Sequence, residues 1–152
     1  MAIRLKTEVT LKAKADCPSH SRADISIRDL SFAIDEPVER GGTNAGPTPT
    51  DTALAALIGC TNVIGHKCAA KLGVDIGHLD IRADCRFDRR GVTLEEEIAV
   101  PFRKIELRVV SNGPASEQAL QQVAAEVRKF CPLSKLFKAA GTEIDELWQK
   151  AA

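Results

Sequence analysis

Five cysteines, Cys17, Cys60, Cys68, Cys85 and Cys131, are the residues of this 152-residue chain with the most chemistry to offer. A thiol reacts as its thiolate, so each position turns on what lowers its pKa from about 8.5. Cys131 stands directly before Pro132 at the start of a predicted helix. Free backbone N–H groups and the positive end of the helix dipole favour an anionic sulfur there. Cys60 falls in the middle of a long predicted helix, so its activation must come from a cation or donor brought in by the fold. Cys17, Cys68 and Cys85 read as small packed hydrophobes, the ordinary fate of a free cysteine. Cys68 is about 80° round the helix from Cys60 and two turns away, at about 100° per residue, and packing suffices to explain it.

Other chemistries find less support. No C-x-x-C or H-x-x-x-H pair occurs, so a zinc site built from His66, Cys60 and Cys68, or from His20 with Cys17, lacks the usual local ligand pairs, and no metal is expected. The loop Gly41 to Gly46 precedes a helix N-terminus but matches neither phosphate-binding glycine motif, and Pro47 and Pro49 remove N–H donors. Lys and Arg number 21, Asp and Glu 21, with no tyrosine, one tryptophan and five phenylalanines. Neither a basic surface nor an aromatic platform for nucleic acid is present, so none is expected as a partner.

The weakly polar run Thr52 to Gly65 is broken by Thr61 and Asn62 and followed by His66 and Lys67; it reads as a core helix rather than a membrane span. The first fifteen residues hold no apolar stretch of the kind an export signal needs. An odd, scattered set of cysteines suits a reducing cytoplasm better than a disulfide scaffold.

The elements that must position these residues follow from periodicity. Ile3, Leu5, Thr7, Val9, Leu11 and Ala13 alternate, predicting a strand over 3–13; residues 25–34 predict a second whose facing changes midway, the two forming a hairpin. Thr48 is placed to cap a helix with Pro49 at its first position and Asp51 at N3, and Gly73 is its natural stop. Alanine and leucine surround this helix, predicting burial on most sides. Strands are predicted over 76–88 and 98–111 about the turn Arg89-Arg90-Gly91, then an amphipathic helix over 116–130 and a short helix from Pro132 to Ala140. The last segment suits a helix or a closing strand. One α+β domain over 1–152 is expected, with antiparallel hairpins.

Gly41-Gly42-Thr43-Asn44 to Pro47-Thr48-Pro49, then Leu54 to Cys60, resemble the helix-entry motif of the OsmC/Ohr family, and Cys131-Pro132-Leu133-Ser134 is similar to its Cys-Pro-x-Ser motif. Together they cover roughly residues 36 to 140. The resemblance implies antiparallel sheets around two long central helices in an intertwined homodimer, with active sites at the subunit interface. It implies a thiol peroxidase without metal or organic cofactor. Cys60 would attack an organic hydroperoxide and Cys131 would resolve the resulting sulfenic acid into a disulfide, which a dithiol reductant reopens. The peroxidase branches carry a glutamate ten positions before the first cysteine, orienting an arginine; here Thr50 stands at that position. Asp51 is the candidate substitute, equally read as a capping residue. Arg22 is the first choice of arginine, with Arg28 and Arg40 as alternatives. A binding or redox-sensing module for apolar ligands on the same fold is the other reading, motivated by Thr50.

Overall fold

A computed structural model describes residue 3 and residues 5–152. The chain divides into two compact units, Met1–Thr52 and Ala53–Ala152, the boundary falling within the first turn of a long helix.

The N-terminal unit holds a three-stranded antiparallel sheet in the order β1 (Lys14–Asp16), β2 (Ala23–Ile27), β3 (Leu30–Ile34). The expected strand over 3–13 is corrected: part of it lies outside the described residues, and among the described ones pairing begins only at Lys14. Alternation defines two faces, but a strand also needs a neighbour to accept its backbone hydrogen bonds. Without one, Leu5, Val9 and Leu11 are exposed, Leu11 to 90%. The change of facing predicted within 25–34 is a tight hairpin. Ile27 pairs with Leu30, and Arg28 takes the left-handed conformation at φ 57° to close the turn.

Helix α1 (Pro49–Leu72) begins and ends where its residues dictate. Thr48 Oγ1 accepts the Asp51 N–H at 3.1 Å, Pro49 occupies a position needing no donor, and Gly73 ends the helix at φ 69°. Its expected burial on most sides is corrected. Leu57, Thr61, Gly65, Cys68 and Ala69 form one buried stripe, while Ala55, Ala56, Gly59, Asn62, Val63 and Ala70 are exposed. Its 24 residues have the length and composition of a membrane-crossing helix, a test that the core helices of soluble proteins also pass.

In the C-terminal unit, β4 (Leu79–Phe87) and β5 (Phe102–Ser111) pair antiparallel, and β6 (Glu143–Lys150) adds parallel to β5, so the ambiguous last segment is a strand. Strict alternation along β4 turns Ile81, Ala83 and Cys85 toward the core and Asp80, Arg82, Asp84 and Arg86 outward. Helices α2 (Glu117–Phe130) and α3 (Pro132–Ala139) make the crossover that a parallel pair requires. Leu120, Val123, Ala124 and Val127 of α2 join Ile105, Leu107, Val109 and Trp148 in the core. Trp148 lies against Gly65, where a Cβ would stand 2.9 Å from the indole edge. The fold is α+β, as expected.

Candidate active site: a buried thiol pair

Cys131 owes its setting to its neighbours in sequence. Pro132 has no N–H to continue α2 but is preset for the first position of a helix, so one helix ends and the next begins at a single residue. Cys131 takes extended backbone angles (φ −69°, ψ 111°), donates its N–H to Val127 O at 2.8 Å and accepts at its carbonyl from Lys135 N at 3.1 Å. Its sulfur caps α3, accepting the Ser134 N–H at 3.4 Å.

The sulfur is fully buried, and this reverses the expectation of a thiolate favoured by the helix N-cap. Burial pushes the Cys131 thiol up to about 11, outweighing the Ser134 and Leu133 N–H groups, which pull the other way. The neighbouring Cys60 side chain raises it further. An eight-residue helix offers little dipole against loss of solvent, which disfavours any anion in an apolar core.

Cys60, half-buried on α1, is thus brought into side-chain contact with Cys131 across a sequence separation of 71 residues. Both are free thiols. Partly buried Ala53, Leu54, Ile64, Leu79, Ile81 and Leu133 pack on the same core, so the surroundings are apolar. Cys17 is exposed, while burial raises the thiols of Cys68 and Cys85. Among the described residues no group of three or more His, Cys, Asp or Glu could hold a metal ion.

The other candidates lie in the N-terminal unit. Arg22 Nε donates to Asp24 Oδ1 at 2.8 Å, its ion pair among the described residues. Arg40 pairs with Glu36, and Arg28 forms the β2–β3 turn. Asp51 is exposed, its N–H held by Thr48, and the Thr50 hydroxyl lies 3.1 Å from that of Thr48.

The residue that organises this unit's glycine loop is one that sequence reasoning passed over. Asp35 is fully buried. Its carboxylate accepts from the Thr43 hydroxyl, from the N–H groups of Thr43 and Ala45 at 3.1 Å each, and from its neighbour Glu36 N–H at 2.8 Å. These bonds, the Thr43 hydroxyl first, hold its pKa well below the usual carboxylate range. The glycines permit the wrapping: a Cβ on Gly42 or Gly46 would stand 1.9 Å from Glu36 O or 2.0 Å from Ala33 O. The available signal was an acidic residue immediately before a loop rich in glycine and threonine.

The model of the OsmC-like protein family matches residues 42–146, a span that holds both thiols. The chain belongs to the OsmC-like family. Solved structures share its fold at low identity. An OsmC-like protein from Mycoplasma pneumoniae is 16% identical with a TM-score of 0.80, covering 96% of this chain and 100% of its own. An organic hydroperoxide resistance protein from Elizabethkingia anophelis is 16% identical with a TM-score of 0.71, covering 97% and 100%. The organic hydroperoxide resistance protein OhrB of Bacillus subtilis is 19% identical with a TM-score of 0.61, covering 92% and 98%. Among curated proteins none matches this OsmC-like chain.

Proposed function

We propose that this protein is a thiol-dependent peroxidase that reduces organic hydroperoxides, with Cys60 as the attacking thiol and Cys131 as the resolving one. The observation that carries the reading is the juxtaposition of these two free cysteines, close enough for the Cys60 sulfur to perturb the Cys131 thiol, inside an OsmC-like fold. Membership of this family, with relatives named for organic hydroperoxide resistance, supports a role in redox or peroxide defence.

In this mechanism the Cys60 thiolate attacks the terminal oxygen of ROOH. The O–O bond breaks, the alkoxide leaves with the bonding pair and takes a proton to become an alcohol, and Cys60 holds a sulfenic acid. The Cys131 sulfur then displaces the sulfenic oxygen, which leaves as water with the Cys131 proton, and a disulfide forms. A dithiol returns two electrons and restores both thiols. The electrostatics suit this order. Burial, the largest cause that holds the proton on Cys131, keeps this thiol protonated until the disulfide forms, so its proton is the one that leaves with the sulfenic oxygen as water. Apolar neighbours favour a hydroperoxide with a hydrocarbon body.

The working protein is a cytoplasmic homodimer in this reading. A second copy would cover the exposed small-residue face of α1 and pair with the alternating residues 5–13. Arg22 is the candidate cation for the thiolate in this reading, with Asp51 in the place of the family glutamate. The Arg22–Asp24 pair and Thr50 favour the second reading, an apolar-ligand or redox-sensing module with little turnover.

One equivalent of cumene hydroperoxide, followed by mapping of disulfides, decides between them. Peroxidase action gives a Cys60–Cys131 disulfide within the mixing time and saturable turnover with dihydrolipoamide. Cys60→Ser protein that still consumes the peroxide at the wild-type rate removes the mechanism.

A further inference from the structure

We infer that the end of the β4–β5 hairpin is a binding site for a phosphate-bearing small molecule, separate from the thiol pair. An open cavity of about 740 Å³ is lined there by Arg86, Phe87, Asp88, Arg89, Arg90 and Arg103. Four guanidinium groups against the carboxylates of Asp88 and of Glu96, which pairs with Arg90, leave this cluster a formal charge of +2, on a chain whose net charge is zero.

The arginines are arranged rather than merely clustered. Arg90 is held by three bonds: Nε to Asp88 Oδ1 at 3.0 Å, Nη2 to Asp88 Oδ2 at 2.7 Å and Nη1 to Glu96 Oε2 at 2.8 Å. Arg103 Nη2 reaches the same Asp88 oxygen at 3.2 Å. A guanidinium carries five donors, so Arg90 keeps two free and Arg103 more. Among the described residues neither Arg86 nor Arg89 makes an ion pair, and all their donors are available. Asp88 serves as the brace: its hydrogen bonds with Arg90 hold its pKa well below the usual carboxylate range, and its backbone N–H is tied to Pro101 O at 2.8 Å. Turn bonds Thr93 N–H to Arg89 O and Glu95 N–H to Arg90 O fix the loop that carries the arginines. Phe87, packed edge-on against Phe102, contributes an apolar surface to the lining.

Guanidinium groups suit tetrahedral oxyanions better than point charges do, because an uncommitted one, as in Arg86 and Arg89, can give two parallel hydrogen bonds, while Arg90 and Arg103 add charge and their remaining donors. The excess charge suits a group carrying two or more negative charges, and the ring suits a ligand with a flat apolar part.

The test is an amide chemical-shift titration of the whole protein with pyrophosphate and, in parallel, ADP at low ionic strength. Saturable shifts confined to residues 86–90 and 103 are expected for both probes, weakening as salt screens the arginines. Tighter binding of ADP assigns the site to a nucleotide-like ligand, and equal binding to the diphosphate group alone. Arg86→Gln/Arg89→Gln should weaken binding at least about tenfold, whereas Arg82→Gln, an outward arginine on the same strand, should leave it unchanged. No saturable binding of either probe, or equal loss in the two variants, overturns the inference. Neither outcome bears on hydroperoxide turnover.

Discussion

Replacing Cys131 separates its two roles. Its sulfur is the acceptor for the Ser134 N–H, a donor in a mostly buried first turn. Cys131→Ala strands that donor, at a cost of about 1–3 kcal/mol. Loss of an N-cap, typically about 0.5–2 kcal/mol, describes the same bond and is not added to it. Cys131→Ser restores an oxygen acceptor of the type preferred at a helix N-cap, so its stability should fall within about 1 kcal/mol of the wild type. Chemically the serine is disabled, because a hydroxyl does not condense with a sulfenic acid.

The assay follows from this contrast. Intact mass spectrometry after one equivalent of cumene hydroperoxide, without reductant, should show wild-type protein that has lost two hydrogens and does not react with dimedone. Cys131→Ser should show one added oxygen, trapped by dimedone at Cys60. Urea melts of the three proteins should order Ala below Ser, with Ser close to wild type. A Ser variant that ends in the same state as wild type would refute the resolving role. Alanine as stable as serine would refute the capping argument.

Three further outcomes test other parts of the structure. Because burial raises the folded-state pKa of Cys131 above its unfolded value, the fold binds this proton more tightly. Stability should be fully present below about pH 8.5 and fall as pH rises toward about 11; that decline should become shallower in Cys131→Ser, the raised thiols of Cys68 and Cys85 supplying what remains, read by chemical denaturation across pH. Asp35 has the opposite sign, its folded pKa being depressed, so its contribution should be present above about pH 4 and lost below it. Asp35→Asn should flatten that acid limb and speed amide exchange at Thr43 and Ala45, and unchanged exchange there would contradict the anchoring role. On α1, Gly65→Ala gains about 1 kcal/mol of helix propensity but drives a methyl into buried Trp148, at a cost of about 1–3 kcal/mol. Within its own chain Gly59→Ala meets nothing within 4 Å and keeps only the gain, unless the second copy proposed above packs on that face of α1. Equal melting temperatures for the two variants would show that Trp148 is free to move aside.

Much of the local structure was legible in the residues themselves. Thr48, Pro49 and Gly73 mark the ends of α1, Pro132 breaks the chain into α2 and α3, and alternation puts Ile105, Leu107 and Val109 on one face of β5. These signals are local: a cap, a missing N–H or a period of two acts over a few residues and needs no knowledge of what packs against them. The motifs around Cys60 and Cys131 marked the thiols for the same reason.

Tertiary structure decided what depends on distant partners. The final segment became a strand because β5 offered an open edge to parallel pairing, while the alternating residues 5–13 found none. Asp35 became an anchor only when the loop folded back to surround it with donors. Most of all, the helix N-cap suggested an activated Cys131, and burial reversed the sign. Spacing along a chain reports the direction of a dipole, whereas the cost of removing a sulfur from water depends on everything that closes over it.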